Sequence, residues 1–204
     1  GLATFEDCWS WDHGYYSAGD GNGFKLGWLS EDVDPLARKV TNCISAYNLD
    51  LGFHENSYGS HDPPQYSING EWHNNIAYKN VNWGFYGSLS QLGDNKNFYK
   101  NNIAYENNGP WGDPNAVFLY DRYDTYNTWN LDVTVTDDDF LALPKTLEET
   151  YAVLGAPRKP DGSLPDLGDY FQLAAGSDLI DAGVDVGNPY NGEAPDLGPF
   201  EFES

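Results

Sequence analysis

Apolar residues along this chain fall in short alternating runs, such as Asn75-Ile76-Ala77-Tyr78, separated by Gly and Asn rather than spaced at helical intervals. That pattern predicts short β-strands joined by tight turns. The runs also recur. Asp7-Cys8-Trp9-Ser10, Asn42-Cys43-Ile44-Ser45, Asn74-Asn75-Ile76-Ala77 and Asn101-Asn102-Ile103-Ala104 align, with starts that step by 35, 32 and 27 residues. A second marker follows each: Gly23-Phe24-Lys25, Gly52-Phe53-His54, Gly84-Phe85-Tyr86 and Val117-Phe118-Leu119. The gap between markers is 10 residues in the two inner repeats and 16 in the two outer ones, a matching enlargement of one turn. A unit this short cannot bury its own apolar face, whereas stacked units share a continuous core. The pattern therefore predicts an all-β solenoid. In this alignment Lys25, His54, Tyr86 and Leu119 share one register and form a column on one face.

Asn48, Asn80 and Asn107 each sit six residues after the start of their marker. Their amides can hydrogen-bond along a column, and Asn tolerates the left-handed backbone of tight bends. Cys8 and Cys43 occupy equivalent positions and should be neighbours in adjacent coils. A stacked thiol pair and a disulfide both remain open, and their spacing matches no metal motif. Residues 1–135 read as coils and residues 136–204 as a capping segment packed on them, because the repeats stop there. Within that segment Thr146 and Glu149 form a capping-box pattern. Leu147, Tyr151 and Leu154 share a helical face, and Gly155 with Pro157 ends a short helix. An open stack ends in an exposed edge, and the tail is expected to cover it.

Length suits one elongated domain of 204 residues. The 32 acidic against 10 basic residues, a formal −22, argue against nucleic acid and anionic lipid as partners. No run approaches a membrane span. The absence of methionine and the start at Gly1-Leu2-Ala3-Thr4 read as those of a processed or truncated product. The 15 Tyr, 10 Phe and 7 Trp can stack on sugar rings or fill a core.

Gly21-Asn22-Gly23-Phe24-Lys25-Leu26-Gly27 resembles the signature of polysaccharide lyase family nine, whose known members include pectate lyases. Leu51-Gly52-Phe53-His54-Glu55-Asn56 follows the same family's pattern in the next coil. So do Ser177-Asp178-Leu179-Ile180-Asp181-Ala182-Gly183 and Ala194-Pro195-Asp196-Leu197-Gly198 in the tail. The resemblance implies a right-handed parallel β-helix, a monomer that is secreted, periplasmic or on the cell surface, and an acidic polysaccharide such as pectate as substrate. It also implies that Lys25 is the catalytic base. The family's calcium site uses aspartates upstream of the Lys25 segment, before the first residue of this chain, so no metal ligands are expected here and the isolated chain could be inactive. This chain has His54 where the family has Asp, a departure that bears on substrate preference.

The residues themselves support the same chemistry. Lys25 is the only Lys or Arg among the first 37 residues, and Gly21, Gly23 and Gly27 are expected to leave the backbone open to a polymer. A solvated lysine beside a turn is the bland alternative. Uronate lyases remove the proton on C5, α to the carboxylate, and expel the C4 oxygen. A cation on the carboxylate stabilises the enolate-like intermediate. Calcium suits that task because it takes oxygens from protein and sugar alike. A lysine acts as base only as the free amine, against a reference pKa of about 10.4, so an alkaline optimum is expected.

His54 and Tyr86 are candidate sugar contacts, and Asn56 a candidate donor to a hydroxyl. Arg122 could pair bidentately with a substrate carboxylate or with Asp121. Asp12-His13-Gly14 is too short to weigh, and Asp137-Asp138-Asp139 reads as a solvated turn. Two other functions compete: a β-helix that binds polysaccharide without cleaving it, and a hydrolase, which would need two or three converging carboxylates. On polygalacturonate a lyase yields an ultraviolet-absorbing unsaturated uronate, a hydrolase only reducing ends, and a binder neither.

Overall fold

The computed structural model describes residues 1–15, 19–27, 36–57, 69–87, 97–109, 117–119 and 122–203. Among them thirteen short strands form three parallel sheets, each built from one strand per coil. The first sheet stacks β1 (Ala3–Glu6), β4 (Arg38–Thr41), β7 (Gly70–His73), β10 (Asn97–Lys100) and β13 (Arg122–Thr125). The second stacks β2 (Trp9–Trp11), β5 (Ile44–Ala46), β8 (Ile76–Tyr78) and β11 (Ile103–Tyr105). The third stacks β3 (Phe24–Lys25), β6 (Phe53–Glu55), β9 (Phe85–Gly87) and β12 (Val117–Phe118). This is a parallel β-helix, and its coils are the repeats seen in the sequence.

The coils stack because identical positions meet identical positions. Phe24, Phe53 and Phe85 lie face to face inside, with centroids 5.0 and 4.8 Å apart. Trp72 and Tyr99 stack beside them at 5.6 Å. Two columns of buried Asn run parallel to this apolar stack. In one, Asn48 Nδ2 donates to Asn80 Oδ1 at 2.8 Å, and Asn80 Nδ2 donates to Asn107 Oδ1 at 2.9 Å. In the other, Asn75 Nδ2 donates to Asn102 Oδ1 at 2.9 Å, and Asn102 Nδ2 donates to Asn127 Oδ1 at 2.8 Å. Each lower amide oxygen also accepts the backbone N–H of the Asn above it. The second column was not foreseen, although Asn75 and Asn102 stand in the aligned markers.

The bends are made by the residues just before the ladder positions. Asn42, Asn74 and Asn101 have φ of 52, 55 and 57°, and Tyr47, Lys79 and Glu106 have φ of 54, 51 and 51°. The left-handed position beside the Asn48 column is thus filled by Tyr, Lys and Glu, not by the ladder Asn. The ladder amides supply partners for buried backbone instead. Cys8 and Cys43 head the other column, where later coils place Asn, and both are free thiols. Cys43 N–H donates to Asn75 Oδ1 at 3.0 Å, and burial pushes its thiol up to about 12.

The tail covers a flank of the helix. Ile44, Ile76 and Ile103, in register on the second sheet, face outward into a second core with Phe140, Leu154, Phe171, Leu173, Leu179 and Leu197. Trp129 packs on the interior cluster, 5.1 Å from Phe85, and donates Nε1–H to Asp124 Oδ2 at 3.0 Å. The tail helix α1 (Leu147–Leu154) has Thr146 as N-cap, accepting from Glu149 N–H at 3.1 Å, and ends at Gly155. Its buried residues are Thr150 and Leu154, while Tyr151 is exposed. Asp139 is 7% exposed and accepts hydrogen bonds from Thr136 and Ser177. It ties the tail together, so the Asp137-Asp138-Asp139 run is not wholly a solvated turn.

Replacing the middle Asn of a ladder removes partners from both neighbours. Asn80→Ala should destabilise the chain by about 2–4 kcal/mol in urea unfolding, because buried donors and acceptors lose their bonds. Exposed Asn108→Ala should stay within about 0.5 kcal/mol.

Candidate active site

Alternation along each strand of the third sheet turns its first residue inward and the next residue outward. Register pairs Lys25 with His54, His54 with Tyr86 and Tyr86 with Phe118. The column is therefore Lys25, His54, Tyr86 and Phe118. Leu119, expected in the fourth place, is instead buried in the interior, 5% exposed. Val117 pairs with Phe85, so the fourth coil is shifted by one residue from the sequence alignment. A one-residue slip exchanges the two faces. Here it is held by the outer ring stack, with Tyr86 and Phe118 centroids 5.4 Å apart and 18° from parallel.

A hollow of about 510 Å³ lies over the head of this column and brings Lys25, His54, Asn56 and Tyr86 together. Asp20 and Asp50 line it as well. Lys25 is ion-paired to Asp20, five residues earlier on the same rim, and both side chains remain open to solvent at 36% and 65%. The expectation of a largely isolated amine is corrected by this pair. The Lys25 ammonium in turn holds the Asp20 carboxyl below the usual carboxylate range. Asp50 is pushed the other way by partial burial, although Asn82 Nδ2 donates to its Oδ1 at 3.0 Å. A second hollow, about 610 Å³, sits beside Asp12, His13, Tyr15 and Tyr151. Among the described residues no Lys or Arg lines it.

His54 is only 4% exposed, and burial, then the nearby Lys25 charge, push its imidazole down to about 3. It meets the Tyr86 ring edge-on at 5.1 Å. The second column residue is thus a neutral ring. Asn56 is 5% exposed and closes the floor. The flanking glycines serve packing rather than an open backbone. A Cβ on Gly23 would lie 2.7 Å from Asn48 Nδ2, and Gly27 abuts the Asn56 backbone. Small residues there let the Asn ladder and the next coil approach. Arg122 opens β13 in the first sheet, a different sheet from Lys25. Its side chain, and Asp121, lie outside the described residues.

Asp20, Asp50 and Trp83 were missed in the sequence. Asp50 and Asn82 both stand two residues before a marker glycine, and Trp83 stands one before, so the alignment held a signal for these. Asp20 lies in the enlarged turn of the first repeat, three residues before Gly23, and the matching position of the fourth repeat is Pro114, so the comparison held no signal. Among the described residues no three His, Cys, Asp or Glu gather as a metal site, and no helix is long and apolar enough to cross a membrane.

No family model matches the chain. It is 31% identical over 206 residues to pectate lyase L of Dickeya dadantii, covering 97% of this chain and 42% of that protein. Pectate lyase PEL9 of Emericella nidulans is 28% identical over 189 residues, covering 89% of this chain and 40% of that one. The crystal structure of pectate lyase Pel9A superposes with a TM-score of 0.72 at 26% identity, over 98% of this chain and 45% of that one. Over nearly its whole length the chain resembles one part of these pectate lyases, and it shares the parallel β-helix of Pel9A. It spans well under half the length of these pectate lyase relatives.

Two buried histidines should make this chain acid-sensitive. Burial pushes His54 down to about 3 and His73 down to about 4. The unfolded chain protonates both near 6.5, so it binds more protons than the folded one between those values, and stability falls as pH drops below about 6.5. Each histidine should remove about 2 kcal/mol between pH 7 and pH 5. Urea unfolding at the two pH values checks this, and His73→Asn should roughly halve the loss.

Proposed function

We propose that this chain carries the base of a polysaccharide lyase that cleaves pectate or a related uronate polymer by β-elimination. The observation that carries this is Lys25, an amine opening from the third sheet into a hollow on the outer face of the helix. The family's pectate lyases support the same substrate class. They also fit an extracellular setting and an acidic polysaccharide as partner.

The reaction assigns simple tasks to these residues. Lys25 Nζ, as the free amine, takes the C5 proton of the uronate. The C5–H electrons become the C4=C5 double bond, the C4–O bond breaks, and the leaving oxygen is protonated. The Asp20 carboxylate occupies the amine in an ion pair, so the substrate must separate the pair before Nζ can reach the C5 proton. His54, being neutral, adds no second cation beside it. Calcium is the cofactor we propose for the intact protein, and its chemistry there is to neutralise the sugar carboxylate. The described residues do not form a fitting donor set.

A second reading is favoured by the same ion pair: with its amine held by Asp20, the chain alone would bind polymer without cleaving it. Incubating the intact protein and the chain with polygalacturonate, and following unsaturated uronate by ultraviolet absorbance, separates the two. The intact protein should form product and Lys25→Ala should lower its rate about 10²–10⁴-fold. Full turnover by Lys25→Ala would end the proposal.

A further inference from the structure

The elimination leaves one carboxylate of the Lys25 hollow, Asp50, without a task. The stack fixes its backbone on both sides. Asp50 N–H donates to the Gly21 carbonyl at 3.0 Å, and Asn82 N–H donates to the Asp50 carbonyl at 3.0 Å. Asn82 Nδ2 also donates to Asp50 Oδ1 at 3.0 Å, so the carboxylate is oriented as well as placed. Among the described residues nothing donates to its other oxygen, Oδ2, which is open to the hollow rather than sealed in the protein.

An ionised carboxylate only accepts, and each of its oxygens has room for more than one donor. Partial burial pushes the Asp50 carboxyl above its ordinary range. The Asn82 bond and the Lys25 charge offset this only in part, and the Asp20 charge adds to it. Lys25 does not supply the missing donor. It is the only Lys or Arg among the described residues lining the hollow, and it pairs with Asp20. Asp50 feels the Lys25 charge without an ion pair to it, so the two groups stand apart in one hollow. Once a polymer displaces solvent from that hollow, the donor for Oδ2 comes from the polymer.

A uronate ring offers two kinds of polar group. Its carboxylate only accepts, and Asp50 repels it. Its hydroxyls donate, and a hydroxyl makes a short, strong bond to a carboxylate. The C2 and C3 hydroxyls lie across the ring from C5 and the sugar carboxylate. A ring held by that edge keeps its own charge away from Asp50. We infer that Asp50, oriented by Asn82, is a specificity-determining residue that accepts a C2 or C3 hydroxyl of a uronate in the Lys25 hollow. The polymer it selects has those hydroxyls free. An O-acetyl group there removes the donor and sets a carbonyl oxygen against Oδ2. This rests on the reading of Lys25 as the reacting centre, and deepens it by naming the substitution pattern of the substrate.

Calorimetric titration of the 204-residue chain in calcium-containing buffer tests this with a galacturonate oligomer, either free or O-acetylated at C2 and C3. The free oligomer should bind about ten-fold or more tightly. Asp50→Leu keeps the bulk but removes the acceptor. It should weaken the free oligomer about ten-fold, leave the acetylated one little changed and so erase the preference. Asn82→Ala leaves the carboxylate without its support and should reduce the preference part-way. Equal binding of the two oligomers, or no binding of either, would overturn the inference. So would a preference that survives Asp50→Leu. Calcium binding to the chain alone that Asp50→Leu abolishes would overturn it too, since the carboxylate would then be a metal ligand. Lys25→Ala should keep the preference, so failure of the hydroxyl contact is read from binding and failure of the lyase reading from product formation.

Discussion

Buried carboxamides, each bonded to the copy above and below, are the constraint on which the rest of this molecule depends. A coil about thirty residues long cannot enclose a core, and stacked coils bring polar bend backbone inside. Asn48-Asn80-Asn107 and Asn75-Asn102-Asn127 satisfy that backbone from within. They also define the register, because an amide shifted by one rung-position would leave donors and acceptors unpaired in an apolar interior. Glycines at 23, 52 and 84 are part of the same device. A Cβ at Gly52 or Gly84 would come within 2.8 or 2.6 Å of an Asn Nδ2.

Function inherits that register. Once Phe24, Phe53 and Phe85 are stacked inside, alternation leaves Lys25, His54 and Tyr86 no choice but the outer face. The amine therefore needs no loop to present it. It is set by the same rung that carries the core aromatic, one residue away. Its partner Asp20 is set by the turn before that rung, and the pair is the obstacle to the use of the base. The acidity of the chain sharpens this tension, since carboxylates outnumber the amine in the hollow.

The coils and their order were legible in the sequence because each repeat supplies copies to compare, and a strand of three residues needs little more than its alternation to be recognised. The Asn48 column was legible for the same reason. Phe118 was misplaced by one because Val117-Phe118-Leu119 offers three apolar residues in a row. Only the ring stack with Tyr86 and the inward fit of Val117 decide between the two faces. The role of Gly23 and Gly27 was misread since a glycine that admits a ligand and one that admits a neighbouring coil look alike in sequence. Asp20 escaped notice because it sits in the enlarged first turn, whose counterpart in the fourth repeat carries Pro114 at the matching position. The tail lies along the second sheet rather than over the end of the stack because Ile44, Ile76 and Ile103 point outward as a continuous apolar strip. The aligned repeats did not reveal which face those isoleucines occupy.

The outward column on the third sheet is the claim everything functional stands on, and paired cysteines measure it directly. In a chain with Cys8 and Cys43 replaced by Ala, Tyr86→Cys combined with Phe118→Cys should oxidise readily to a disulfide, because adjacent rungs fall within the Cα separation such a bond needs. Tyr86→Cys combined with Leu119→Cys should remain reduced, since residue 119 turns into the core. Efficient cross-linking of the second pair and not the first would contradict the register, and with it the placement of Tyr86 and Phe118 in line with Lys25.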